Sequence, residues 1–562
     1  MLNLKITSRM RCRISAPLAS VSVLAATGAL LLAPATLSAQ TDTTVAQLPG
    51  SEVRVEKLFD ARLADAERIG LTPSLPSLDT SLVPQTYEVL PVDAEVAYAA
   101  PKIRPLAIKV PPLPTPYKGF FRVGAGLPGA WLGDAGYAIN NDRYALRADA
   151  HTYGFNGNFN DAQRYAEVDA HLGGTLYATD EVAVDLDVDF GRRQYRYYGF
   201  EEARRDTSEQ LFAPNDRQHF NVLGFRAGVR NSAPTTPGVD YRVRVAADFL
   251  SDNFAVDERL FHVDGLARKD FTEAWYAELA ADLQFVRYSG FEDQKLNIFQ
   301  LQPTVGAHFD KLGLRLGVNV ANEDDAFRFY PRVEATYAVR PTLVLLAGAD
   351  GGPRAQSYRN LTRYLPYLVT DPELRIAQEL RVYGGVQTRV RGIDVEATAG
   401  FERVNDLALF VSDSARVYQF RPRYDSADIV FVKLEASAPL LDRLSGNLQV
   451  ESRSFSLETA DEPYLLPSFD AQLRLRYDVS EKIGATGLLV AQNTLPVLTP
   501  ADLETAPETG ALVDFSIHGD YRFSQRFAAF AHLNNLFNNR RRMVPYYPVL
   551  GTNVMLGVTG RF

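Results

Sequence analysis

The sequence predicts an all-β chain: a transmembrane antiparallel β-barrel of about 22 strands, preceded by a short proline-rich N-terminal segment. Three observations predict it. Residues 551–562 alternate without a break: Val554, Leu556, Val558, Gly560 and Phe562 share one face, and Met555, Gly557, Thr559 and Arg561 the other. Period 2 is the signature of a strand, and a final strand that ends the chain on an aromatic, Phe562, is what closes an outer-membrane barrel. At the opposite end, residues 1–39 read as a secretory signal. Between the two, from about residue 118, the chain repeats one unit, an alternating segment and a connection, and the connection lengths are sorted by parity.

The elements follow in chain order. Lys5, Arg9, Arg11 and Arg13 form a basic region with no acid nearby, residues 16–33 are apolar, and Leu37-Ser38-Ala39 offers small residues before Gln40. This is the pattern of a cleaved signal peptide; the rival reading, a membrane anchor, lacks a stop-transfer pattern. Cys12, the only cysteine, falls in the part removed, so the mature chain is expected to have no disulfide, thiol nucleophile or thiolate metal site. Removing the signal's four bases leaves 55 Lys and Arg against 68 Asp and Glu. That acidic balance argues against nucleic acid as a partner.

Residues 40–116 have a different composition. Residues 53–69 fit one short helix, with Phe59, Leu63, Ala66 and Ile69 on one face. Residues 72–116 carry ten prolines, which block ladder hydrogen bonds and helix interiors and make the stretch extended and irregular. Apolar pieces at 87–90 and 106–110 lie between them. The segment is expected to dock inside the barrel or on a periplasmic or lipoprotein partner.

The barrel is expected over 117–562. Beyond residue 39 no apolar run approaches the length of a membrane helix. A barrel hides its membrane signal, because lumen-facing polar residues alternate with lipid-facing apolar ones. The 27 Tyr and 32 Phe suffice for the aromatic girdles at both interfaces. Val182, Val184, Leu186, Val188 and Phe190 oppose Ala183, Asp185, Asp187 and Asp189, and Tyr241, Val243, Val245, Ala247 and Phe249 oppose Arg242, Arg244 and Asp248. Such runs exceed the roughly 5–6 residues usual in soluble strands and suit strands crossing a bilayer at a tilt, which need about 9–11. Stretches 351–373 and 405–425 do not alternate cleanly. Even-numbered connections are mostly short, while the long ones (154–163, 200–216, 351–373, 496–509 and 538–550) are nearly all odd-numbered; the first external connection, Pro128-Gly129, is short and is an exception. An even-stranded barrel with both termini in the periplasm gives this parity. In hydrocarbon an unpaired backbone group costs several kcal/mol, so the last strand must pair with the first.

The penultimate hairpin narrows the class. His532-Leu533-Asn534-Asn535-Leu536-Phe537-Asn538, then Pro545-Tyr546-Tyr547-Pro548-Val549-Leu550-Gly551, resembles the last two strands of TonB-dependent receptor barrels, which also have 22 strands. The resemblance implies an outer-membrane address, outer-membrane lipid and the barrel-assembly machinery as partners, and passage of a solute. Those receptors carry a large plug and a TonB box before the barrel. Here 77 residues precede it, rich in proline, and Thr43-Thr44-Val45-Ala46 is a weak match to such a box, which puts TonB-driven import in doubt. The chain more closely resembles plug-less barrels labelled TonB-dependent receptor-like. The likeness rests on Val55-Glu56-Lys57 through Asp65-Ala66-Glu67-Arg68-Ile69, Pro101-Lys102-Ile103-Arg104-Pro105-Leu106, Tyr117-Lys118-Gly119-Phe120 with Val123-Gly124-Ala125-Gly126, and residues 195–200.

Little in the chain points to chemistry. The seven histidines are scattered, without zinc-type spacing, and no G-x-S-x-G elbow is present. No enzyme, cofactor or resident metal is expected. Glu323-Asp324-Asp325 reads as a solvated acidic loop before it reads as a calcium site. Arg540, Arg541 and Arg542 are candidates for lipopolysaccharide phosphates, since guanidinium forks match phosphate geometry. Asp185, Asp187 and Asp189 form a lumen-facing column that needs facing bases, of which Arg242 and Arg244 are candidates. The column is either a packed polar wall or a cation-favouring lining. A barrel this wide leaves a hole unless something fills it: residues 40–116, inward connections or a partner. The expected function is solute transport across the outer membrane; the alternative is a non-transporting barrel subunit of an outer-membrane assembly or secretion complex.

Overall fold

A computed structural model describes residues 117–157, 163–199, 217–233, 235, 238–323, 326–416, 418–498 and 509–562. The signal and proline-rich segments lie outside these residues. The first half of the sheet comprises β1 (Gly119–Leu127), β2 (Ala130–Asn140), β3 (Tyr144–Asn156), β4 (Arg164–Tyr177), β5 (Val182–Arg196), β6 (Arg217–Asn231), β7 (Val239–Asp252), β8 (Asp257–Asp270), β9 (Trp275–Ser289), β10 (Gln294–Phe309) and β11 (Leu312–Glu323). The second comprises β12 (Ala326–Arg340), β13 (Leu343–Gln356), β14 (Arg375–Val390), β15 (Ile393–Ser412), β16 (Phe420–Leu441), β17 (Leu444–Leu457), β18 (Phe469–Asp478), β19 (Ile483–Gln492), β20 (Leu512–Arg522) and β21 (Phe527–Asn534). A two-stranded hairpin, β22 (Arg542–Val544) and β23 (Tyr547–Pro548), precedes the last strand, β24 (Asn553–Arg561).

All but the hairpin form one 22-stranded antiparallel sheet that closes on itself. β24 pairs with β21 on one side and with β1 on the other, from Phe120↔Arg561 to Leu127↔Val554. Phe562 completes the seam: its N–H donates to Gly119 O (3.0 Å), Gly119 N–H donates to Phe562 O (2.9 Å), and its ring stacks on Tyr137 at 6.3 Å. Closure leaves no edge, which hydrocarbon requires. The first strand begins at Gly119, next to residue 118 where the alternation sets in, and the strand count is the expected 22.

Connection lengths sort as expected, with two additions. Turns 310–311, 341–342, 391–392 and 442–443 have two residues each, and the long connections 197–216, 357–374, 493–511 and 535–552 all lie at the other end. That end faces outside in barrels of this kind. The first is that 253–256 and 290–293 are short external connections alongside Pro128-Gly129. The second concerns the two unclear stretches. β13 runs to Gln356, and β15 continues to Ser412 through a bulge between Val404 and Leu407, with Asp406 at φ 55°. β15 and β16 have 20 and 22 residues, about twice what a bilayer needs. Since two-residue turns hold their periplasmic ends, the excess stands above the membrane.

The outer face is apolar: Leu172, Leu186, Phe190, Phe225, Val243 and Phe261 are all exposed on it. The largest cluster of buried apolar side chains is not between sheets, as in a sandwich. It gathers Tyr198, Phe220, Tyr288, Ile298, Tyr358 and Phe410, among others, at the external end of the barrel interior.

Candidate functional site

The external mouth is filled by three connections that start far apart. The β5–β6 connection supplies Tyr197 and Tyr198, the β13–β14 connection Tyr367, and the β22–β23 hairpin Tyr546 and Tyr547. Eight strands separate the first connection from the second, and eight the second from the third. A 22-stranded barrel is roughly 40 Å across at normal strand spacing and tilt. Yet the rings of Tyr367 and Tyr547 stack at 3.6 Å and 12°, Tyr198 meets Tyr547 edge-on at 5.0 Å, and Tyr198 meets Tyr367 at 6.3 Å. Three thirds of the rim therefore touch over the lumen. Tyr198 Oη donates to Pro548 O (2.9 Å) and Tyr547 Oη to Tyr418 O (2.7 Å), so these two buried hydroxyls are satisfied. Burial raises the phenols of Tyr367 and Tyr547 well above their ordinary value, which keeps the contact uncharged.

The β13–β14 connection forms the body of this closure. Ser357 caps a seven-residue helix, α1 (Tyr358–Tyr364), by accepting from Asn360 N–H at 3.3 Å. Pro366 follows and bars further helix. The chain then crosses to the β7–β10 wall. Glu258 accepts the N–H groups of Tyr358 (2.6 Å) and Arg359 (3.2 Å), Arg359 Nη1 meets Asp248 at 2.6 Å, and Tyr358 Oη reaches Asp252 at 3.2 Å. Tyr288 donates to Thr370 O, and Gln294 donates to Pro372 O at 2.8 Å while accepting from Leu374 N–H. On the other side Leu368 bridges to Phe420, and Tyr364 donates to Leu465 O.

Below this cluster the lumen wall is polar, and its charges are paired across strands. Arg122–Asp134 (2.6 Å), Arg315–Glu334 (3.4 Å), Arg332–Glu278 (3.6 Å), Arg381–Asp350 (3.3 Å) and Arg476–Asp520 (2.5 Å) are examples. A cavity of about 630 Å³ opens towards the periplasmic end of β13–β17. One register row, Gln387, Glu396, Glu435 and Gln449, lines it, with Lys433 at 2.5 Å from Glu435.

The residues singled out in the sequence fare differently. Asp185 pairs with Arg230 (2.9 Å) and accepts from Thr175; Asp189 pairs with Arg226 and with His171 at 2.9 Å; Asp187 lies 3.6 Å from His171. The bases facing the column are thus Arg226, Arg230 and His171. Arg242 and Arg244 instead share Asp264, at 3.9 and 3.0 Å, because strand register sets β7 against β8 at that height. The arginine run is divided between the inside and the outside of the loop. Arg541 is 7% exposed and bonded to Gly510 O (2.7 Å), Asn493 O and Gln492. Burial pushes its guanidinium down to about 10. It braces the loop from within and is closed to lipid phosphate, while Arg540 is exposed and Arg542 begins β22. Asp324 and Asp325 lie outside the described residues. Among the described residues no group of three His, Cys, Asp or Glu side chains could hold a metal ion. The Asn535–Asn538 segment has a clear local role. Asn535, at φ 50°, donates to Asn539 O (2.7 Å) and Leu550 O (2.9 Å) and accepts from Asn539 N–H, pinning the base of the last external connection.

The external closure was not anticipated residue by residue. Its signal was present: Tyr197 and Tyr198, the run Tyr364-Leu365-Pro366-Tyr367-Leu368-Val369, and Tyr546-Tyr547 are apolar or aromatic clusters inside connections that should be polar.

A closed, lipid-facing barrel of 22 strands with a filled external mouth defines a large outer-membrane β-barrel protein. Solved structures share the fold. The pyoverdine outer membrane receptor FpvA of Pseudomonas aeruginosa is similar at a TM-score of 0.61 and 11% identity, over 79% of this chain and 78% of that one. The siderophore receptor PirA of Acinetobacter baumannii gives 0.60 and 11%, over 79% and 80%. The ferric-catecholate import receptor Fiu of E. coli gives 0.60 and 9%, over 79% and 82%. No protein-family model and no curated protein matches the chain.

Proposed function

We propose that the chain is an outer-membrane transport barrel whose passage is shut from outside by its own connections. The observation that carries this reading is the meeting of Tyr198, Tyr367 and Tyr547 over the lumen. Opening needs no change in the barrel wall. It requires release of the β13–β14 connection, which hangs from Glu258, Asp248, Tyr288 and Gln294. A solute would then descend past the paired-charge wall to the recess lined by Gln387, Glu396, Glu435 and Gln449. In this scheme Asp185, Asp187 and Asp189, neutralised by Arg226, Arg230 and His171, serve as polar wall. The solved neighbours are named as siderophore receptors, which makes a ferric chelate the first solute to test.

The test is conductance of the purified mature chain in planar bilayers. The parent is expected to be closed, and a Tyr198→Ala/Tyr367→Ala/Tyr547→Ala variant to show a wide pore. A triple variant as closed as the parent would remove the connections as the gate. If closure were lost instead on deletion of residues 40–116, the gate would lie in that segment. A barrel that passes no solute in any form and co-purifies with a periplasmic or lipoprotein partner would favour the assembly-subunit reading.

A further inference from the structure

The lumen pairs its cations, but one row on the outer face does not. Arg259 on β8, Arg287 on β9 and Lys295 on β10 are directly opposite one another in register, Arg259↔Arg287 and Arg287↔Lys295. Their flanking neighbours Glu258, Tyr288 and Leu296 point inward and are buried, whereas the three cations are exposed on the lipid side. Adjacent strands lie about 4.8 Å apart, and like charges directly opposite one another repel. Among the described residues, Arg259 and Lys295 enter no ion pair, and Arg287 reaches the amide of Asn297 (2.8 Å) and the carbonyl of Val286 (3.0 Å), neither of them anionic. The carboxylates nearby lie on the solvent side of the row: Asp257, opposite Ser289, and Asp293, held by Ser289 at 2.8 Å.

The height of the row identifies what could offset this repulsion. Towards the membrane centre the same strands carry aromatic rings: Phe261 and Phe285, opposite one another in the next outward row, meet at 6.2 Å, and Phe285 meets Phe299, one row further on, at 5.3 Å. Such a band marks the boundary between acyl chains and headgroups. A row of cations just outside it, at the external end, lies at the depth of outer-leaflet phosphates. Fixed arginine forks and a lysine in line suit a rigid, multiply phosphorylated headgroup. We propose that Arg259, Arg287 and Lys295 bind the phosphoryl groups of lipopolysaccharide, with the Phe261–Phe285–Phe299 band against its acyl chains. The site is separate from the arginine run near the C-terminus and does not depend on the transport reading.

The test uses the full mature chain in detergent, with lipid A as probe and thermal unfolding followed by heat-modifiable migration. Lipid A with both phosphates is expected to raise the unfolding temperature, and fully dephosphorylated lipid A to have little effect. Arg259→Ala/Arg287→Ala/Lys295→Ala should weaken lipid A binding by about tenfold or more, while Arg540→Ala should leave it unchanged. Equal stabilisation by phosphorylated and dephosphorylated lipid A would overturn the proposal without any variant. So would parental affinity in the triple variant. Inorganic phosphate competing at the affinity of lipid A would show a phosphate site with no lipid preference, which also overturns it.

Discussion

The two ends of the barrel interior are built by the same strands and differ in what those strands point inward. On β9 and β10 the inward residues near the outside are Val286, Tyr288, Leu296 and Ile298, all buried; further down the same strands they are Glu278, Asp282, Gln300 and Gln302. The change falls where the external connections stop. Above it the wall faces protein and behaves as a core, and below it the wall is polar and cross-bonded. On the outer face the same strands, below Arg287, Lys295 and Asn297, stay apolar or aromatic down to the periplasmic girdle. Alternation therefore sets which residues face inward, and the composition of the inward set records whether water or a folded connection lies against them.

The sharpest way to break this comparison is to put one charge in each half. Ile298 is wholly buried, so Ile298→Asp would place a carboxylate without a partner in an apolar cluster. Removing a partner from a buried charge costs about 3–5 kcal/mol, and this substitution should cost a similar amount. Gln302→Glu, four residues further on, sits beside Arg332 and should shift stability by no more than about 1 kcal/mol. Thermal unfolding in detergent, followed by gel migration, measures both. Equal effects would mean that the two halves are equally wet.

The next effect belongs to Glu258, which holds the start of α1 with both carboxylate oxygens. Glu258→Ala would orphan the N–H groups of Tyr358 and Arg359 in a buried place, at about 1–3 kcal/mol each. The expected outcome is local: proteolysis within 357–374 with the barrel itself still heat-modifiable. Simultaneous loss of barrel and connection would show that the closure and the wall fold as one unit.

These two positions also show what could be read beforehand. Strand number, pairing of the ends and the inward or outward sense of Asp185 or Arg244 all follow from period 2, because a closed sheet in lipid allows only one choice at each step. The closure did not follow. Residues 351–373 and 405–425 lack alternation because both of their faces are covered: Leu407, Ala408, Leu409 and Phe410 are consecutive and all buried. An apolar run in a connection signals burial, but not against what. Ion-pair partners escaped for a related reason. Asp189 meets Arg226 through the stagger between β5 and β6, and stagger is a property of the whole barrel rather than of one strand.

A smaller effect is expected at the foot of the last external connection. Asn535 holds Asn539 and Leu550 through its side chain and is 1% exposed. Asn535→Ala loses those bonds and also loses a residue type tolerant of positive φ, for about 1–3 kcal/mol in total. The β22–β23 hairpin that carries Tyr547 should loosen, so cleavage within 540–548 should rise while β21 and β24 remain paired. A variant with parental protease resistance would mean that Tyr198 and Tyr418 alone hold the hairpin in place.

The smallest effect should come from the lower lumen. Arg226 and Asp189 form an ion pair with side chains 42% and 35% exposed. At that exposure water and salt screen most of the attraction, and such pairs contribute about 0–1 kcal/mol. His171 remains on Asp189 when Arg226 is removed, so Arg226→Met should leave thermal unfolding nearly unchanged. The same substitution frees a negative charge beside Asp185 and Asp187. If the column is only polar wall, ion selectivity of the pore opened by the tyrosine substitutions should move slightly towards cations. A large selectivity change with unchanged stability would make the column a pore lining, and the lower lumen would then differ from the upper in function as well as in wetness.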